Sequence, residues 1–142
     1  MASKRELIVQ NIVTQIQSIS SIKMVTREPK DILELSVASF PHVLVETANE
    51  TRDNSSFGTE VRKESELEIL LNIVVHGNNR DQQRNNAIEA IEQKLDIDVR
   101  RGGHAFARML TEVTIRELNE AAPYGQAVML LTIKYFYTKG TP

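Results

Sequence analysis

Glu64, Glu66 and Glu68 occupy alternate positions in the stretch TEVRKESELEILLNIVVHG, and paired carboxylates are candidates for acid–base chemistry. On a strand, neighbouring members of the set would share one face about 6.6 to 7 Å apart, a separation close to that of an inverting glycosidase pair. Three adjacent carboxylates repel one another unless cations oppose them, so a solvated face or an intersubunit seam with Arg or Lys is the expected role. Arg100 and Arg101 precede Gly102 and Gly103, and converging glycine N–H groups could cradle an anion. The glycine spacing and lysine of a P-loop are missing, so a sharp turn is expected there. His42, His76 and His104 are too widely spaced in sequence to define a zinc site. Asp53, Asn54 and Ser55 lack the ordered ligand series of a calcium loop. With no HExxH, GxSxG or Rossmann glycine pattern, no catalytic, cofactor or metal residue is assigned, and an enzyme is not expected.

Composition narrows the classes further. The chain has 142 residues, enough for one domain with a sizeable core. Its formal net charge is -2 with 25% charged residues, so no bulk field gathers nucleic acid or an anionic membrane. Arg100, Arg101 and Arg108, or Lys4 and Arg5, could form small basic patches; passage of DNA through a ring would need no base readout. Cysteine is absent, which removes disulfides, thiolate nucleophiles and thiolate metal sites. The opening MASKRELIVQNIV is interrupted by Glu6, Gln10 and Asn11, so it reads as mature structure and not a signal peptide. No run approaches the roughly 20 apolar residues of a membrane span, and a soluble protein that stays in the compartment where it is made is expected.

These residues must be positioned by a small set of elements. Ser3 and Glu6 have capping-box spacing, and Leu7, Ile8, Ile12, Ile16 and Ile19 recur at helical spacing, predicting a helix through about Ser20. Residues 22–28 predict a short strand stopped by Pro29; HVLVETA after Pro41 predicts a second, with Val43 and Val45 on one face and Leu44 and Glu46 on the other. The polar run NETRDNSS predicts an exposed hairpin loop, or one that orders against another subunit. The long strand follows, its charged first half leaving the domain as an arm and its apolar second half, Leu67 to Val75, anchoring the sheet. Asn78 or Asn79 is expected to cap a second helix, Arg80 to Leu95, with the stripe Ala87, Ile88, Ile91 and Leu95. From Ala107 a strand places Met109, Val113 and Ile115 on one side. The last, QAVMLLTIKYFYT, is apolar on both faces up to Thr132, which predicts an interior strand with helices on one side and another layer or subunit on the other.

The expected fold is α+β: a single domain over 1–142, a mixed or mainly antiparallel sheet, two helices on one face and an extended hairpin arm around 47–67, with a flexible tail at 138–142.

The order of these elements, with the phrases FPHVLVE and AVMLLTIKYFY, resembles the tail terminator proteins of long-tailed bacteriophages. The resemblance implies a homohexameric ring that halts tail-tube polymerisation and offers the head a joining surface, with an arm reaching across neighbouring subunits. Its implied partners are further copies of itself, the tail tube protein and a head–tail connector protein, with non-specific passage of DNA through the ring and no membrane. The implied location is the head-proximal end of the virion tail, and the host cytoplasm during assembly. By the same resemblance Glu60, Arg62, Glu64 and Glu66 become candidate intersubunit residues. The alternatives are another phage connector component, a head-completion or tail-completion protein, or a small ligand-binding or enzymatic α+β domain.

Overall fold

The computed structural model describes residues 3–29, 39–52, 62–97, 105, 107–117 and 124–138. Helix α1 runs Lys4–Gln17, and Ser3 starts it: its backbone is extended and its Oγ accepts from the Glu6 N–H at 3.2 Å. Only this half of the anticipated capping box is used in the expected way, because the Glu6 carboxylate turns outward to Arg27 and Gln10. Arg27 follows strand β1, Met24–Thr26, so this ion pair ties the chain leaving β1 to the first turn of α1. The buried stripe of α1 is Ile8, Val9, Ile12 and Ile16, and the helix ends where the Ser18 N–H reaches back to Thr14 and Gln15.

Strands β2 (His42–Arg52) and β3 (Arg62–His76) follow, then helix α2 (Arg80–Asp96), and strands β4 (Ala107–Glu117) and β5 (Tyr124–Thr138). The sheet has five strands in the order β1-β2-β3-β5-β4. β1 is parallel to β2, and every other pairing is antiparallel, so this is a mixed, mostly antiparallel α+β domain with both helices on one face. The last strand is interior, as its two apolar faces predicted: it lies between β3 and β4. One of those faces meets the helices. Leu67, Ile69, Leu71 and Ile73 from β3 and Met129, Leu131, Ile133 and Tyr135 from β5 are fully buried against Ile8, Ile12, Ile91 and Leu95. Burying each such aliphatic side chain contributes roughly 1.5–3 kcal/mol, which makes this layer the main favourable term in the fold.

Gly77 turns the chain from β3 into α2 with φ at 127°, a backbone conformation that side chains with a Cβ avoid. Asn79 takes the cap position of α2, but its Oδ1 accepts from the Gln83 side chain at 2.5 Å and not from a helix N–H. The same Gln83 amide donates to the His76 carbonyl at 2.9 Å, so the strand-to-helix turn is closed by a side chain from inside the helix. Arg84 is buried beside Ala87, Ile91 and Leu95 and packs against Gly125, where an added Cβ would stand 2.7 Å from Arg84 Nη1.

Two strands depart from simple alternation. In β2 the register slips between Thr47 and Glu50, so that Glu50 lies opposite Leu67 on the helix-covered face. In β4 it slips between Leu110 and Glu112: Val113 lies opposite Met129 and Ile115 opposite Ala127, whereas Met109 lies opposite Thr132. The grouping of Met109 with Val113 and Ile115 is therefore corrected, because an extra residue on one strand inverts every side-chain direction beyond it.

Candidate functional site

The polar centre of the molecule is Glu50. Its carboxylate accepts from Arg5 Nε at 3.1 Å and Nη2 at 2.8 Å in a forked geometry, and from Tyr135 Oη at 2.5 Å, while Arg52 Nη2 stands 2.7 Å away. The Glu50 side chain is 10% exposed against 43% for Arg5 and 30% for Arg52, so the acid is inside and its cations form the rim. Burial pushes the Glu50 carboxyl up, but the hydrogen bonds from Arg5 and Tyr135 and the Arg52 charge outweigh it and bring it down to about 2. The Arg5 guanidinium is held more firmly protonated, chiefly by its bond to Glu50. Burial, reinforced by Glu50, pushes the Tyr135 phenol up. Arg52 lies over the Tyr137 ring, its Cζ 4.2 Å from the centroid.

This cluster joins three elements that the sequence separates widely. Arg5 comes from the first turn of α1, Glu50 and Arg52 from β2 and the tyrosines from β5. Lys4 adds a fourth tie, donating from Nζ to the Phe136 carbonyl at 2.7 Å. The arrangement has an ionised acid between two cations, with no nucleophile coupled to a base among the described residues of the cluster. What it can do is hold the β2–β3 hairpin at a set angle to α1 and β5.

Of the predicted intersubunit residues, Glu64 and Glu66 lie next to this lock, on the opposite face. Glu64 pairs across the sheet with Phe136 and is half-buried; Glu66 pairs with Lys134 and is exposed. Arg62 is in register with Thr138 at the start of β3, and Glu60 lies outside the described residues. Arg62 to Glu66 stay in the sheet, paired with β5, whereas that length of strand was expected to leave the domain. The rest of the expected arm between the two strands, residues 53–61, lies outside the described residues. Glu64, Glu66 and Glu68 do share one face, and a shallow recess of about 100 Å³ opens between Thr51, Arg52, Glu64, Ser65 and Glu66.

That helix-free face continues into an apolar area. Leu70, Val128 and Leu130 are half-buried there, and the Gln126 amide donates to Asn72 Oδ1 at 2.7 Å between them. A more open hollow of about 510 Å³ is lined by Arg27, Glu28, Pro29, Val45, Glu46 and Thr47 and converges on no reactive pair. Among the described residues no group of three or more His, Asp or Glu could hold a metal ion. His42 is a buried packing residue whose Nε2 lies 2.8 Å from Thr26 Oγ1, and His76 packs against Phe40 and Tyr124. Gly102, Gly103 and His104 lie outside the described residues.

The architecture has a counterpart among solved structures. It is similar to a virion chain. Described as "Virion of native gene transfer agent (GTA) particle", that structure matches with a TM-score of 0.62 at 10% identity, over 96% of this chain and 100% of that one. At this identity the likeness is one of fold. No protein-family model and no curated protein matches the sequence. Among the described residues no helix is long and apolar enough to cross a membrane.

Proposed function

We propose that this chain is a structural component of a phage-like virion, a tail terminator that forms a homohexameric ring, stops growth of the tail tube and offers a surface for head joining. The observation that carries this reading is the fold likeness to a chain of a gene-transfer-agent particle across nearly the whole length of both chains. The helix-free sheet face supports it, because a half-buried apolar area bordered by Glu64, Glu66 and Glu68 is the surface that a contacting subunit or tube end covers. Glu60, Arg62, Glu64 and Glu66 remain the proposed intersubunit residues, of which Glu64 and Glu66 form an acidic strip on β3. The partners in this reading are other copies of the chain, the tail tube protein and a head–tail connector protein, with DNA passing through the channel without base readout. The location is the head-proximal end of the tail, and the host cytoplasm before assembly.

Negative-stain electron microscopy of the concentrated protein, alone and mixed with tail tubes, tests the reading. Rings with a channel wide enough for duplex DNA, seated on tube ends, are expected. Monomers under both conditions would overturn it, and binding to head portals but not to tubes would reassign the chain to a head-completion role.

A further inference from the structure

Val113 is 38% exposed and Ile115 50% exposed, although both lie in register with fully buried residues of β5, Met129 and Ala127. The reason is positional: α2 packs over β3 and β5, and β4 ends the sheet beyond that cover. β4 is eleven residues long, and among the described residues the sheet ends on it. A strand of that length at an edge offers a row of backbone donors and acceptors, and natural edges are usually shortened, charged or covered to prevent pairing. This one carries four charged residues, Arg108, Glu112, Arg116 and Glu117, and among them two exposed β-branched residues, Val113 and Ile115, on the helix side; Glu112 and Arg116 stand two residues from Thr114 in either direction along the strand.

We infer that β4 pairs antiparallel with β4 of a second copy of this chain, about a two-fold axis at Thr114. In that register Val113 of each copy faces Ile115 of the other, and Glu112 of each faces Arg116 of the other. Two opposite-charge pairs and two apolar pairs thus form from one self-complementary strand. Both helix layers fall on the same side of the joined sheet, so the four exposed apolar side chains close into one cluster between the two α2 helices. Neighbouring registers lack this match. Shifting the pairing by one residue sets Glu112 against Glu117 in one direction, and in either direction opposes residues from different faces of the sheet. Moving the axis to Val113 keeps the faces but leaves Glu112 opposite Thr114, and moving it to Ile115 puts the position opposite Glu112 beyond the end of β4 at Glu117. The Thr114 hydroxyl already donates to Glu112 Oε1 at 3.1 Å, holding the acid on the helix-free face.

The inference stands apart from the ring reading. A two-fold contact has no place between neighbours in a purely cyclic ring; the β4 pair is a form of the free chain, and ring assembly exchanges it for other contacts. In this form the edge is shielded from unspecific pairing.

Charge exchange tests the register. Sedimentation of the full chain should show a reversible dimer. Glu112→Arg alone sets arginine against arginine, Arg116→Glu alone sets glutamate against glutamate, and each should weaken self-association about tenfold or more. Mixing the two variants should restore dimers, because both charge pairs then reform between unlike copies. The chain has no cysteine, so Thr114→Cys provides a single reporter that meets itself at the axis, within disulfide reach of an antiparallel neighbour. It should cross-link under mild oxidation much faster than Thr14→Cys on the exposed side of α1. Equal cross-linking rates for the two, or no gain on mixing folded charge variants, would overturn the pairing, whatever is found for rings.

Discussion

Glu46 and Glu50 lie on opposite faces of the sheet although both are even-numbered positions of one strand: Glu46 is in register with Leu70, Glu50 with Leu67. The slip between Thr47 and Glu50 turns a residue that would have been solvated into the acceptor for Arg5 and Tyr135, within ion-pair distance of Arg52. Replacing it should therefore be costly for a strand residue near a loop. Glu50→Gln keeps the shape and removes the charge, and about 2 kcal/mol of unfolding free energy should be lost. Glu50→Ala should lose about 3 kcal/mol, because it also leaves the Tyr135 hydroxyl without its acceptor. Urea denaturation of both variants checks this ordering.

The same acid predicts an acid-side loss of stability. Its folded value of about 2 lies below the ordinary 4.5, so the unfolded chain binds the proton more readily. The stabilisation is fully present above pH 4.5 and falls away as the pH drops from there through about 2. Because both cationic partners are partly open to solvent, the amount is about 2 kcal/mol and not the larger figure the full shift would imply. Unfolding curves across that window should slope for the wild type and be nearly flat in this component for Glu50→Gln.

Two glycines should resist substitution for different reasons. Gly77→Ala forces a Cβ into a backbone with φ at 127° and should cost about 1–2 kcal/mol. Gly125→Ala has no such torsion; its Cβ would meet Arg84 Nη1 at 2.7 Å and Arg80 Cβ at 3.3 Å, so overpacking of about 1–3 kcal/mol is expected. Shortening Arg84 should recover part of the loss at Gly125 and none at Gly77, which thermal melts of the double variants can separate.

How much was visible beforehand follows from the range of each signal. Ser3 and the isoleucine stripe announce α1, and the doubly apolar last strand announces an interior position, because both are local patterns set by the helical and strand repeats. The two register slips are silent in sequence: nothing about Ala48 and Asn49, or Thr111, distinguishes a bulge from continued alternation. The burial of Arg84 has no local signal, because Gly125, against which it packs, approaches from a different strand. The Glu50 lock is equally hidden, since Arg5 and Tyr135 are 45 and 85 residues away from it. The acidic strip of Glu64 and Glu66 was legible as one face, but not that β5 flanks it throughout.

That strip gives a prediction specific to assembly. Glu64→Lys with Glu66→Lys should abolish or strongly weaken rings while changing unfolding free energy by no more than about 1 kcal/mol, because charges open to solvent, fully at Glu66 and partly at Glu64, contribute little within a subunit and opposed charges steer contacts between subunits. Ring counts by electron microscopy and urea melts on the same preparation test the separation. Equal loss of both would place the glutamates in the fold and not in the seam.

The position of β5 between β3 and β4 also governs how the molecule comes into being. Both strands that flank β5 are synthesised before it, and β3 meets β5 in pairings from Arg62 with Thr138 to His76 with Tyr124. Such non-local pairing slows folding, since the loop must close before the contacts reward it. At about 5–20 residues per second of translation, β3, fifteen residues long, must wait for its neighbour with one edge bare. The nascent chain is therefore most prone to misassociation just before its last strand emerges, and an early stop within β5 parts β4 from β1, β2 and β3, since β5 is the strand that joins them.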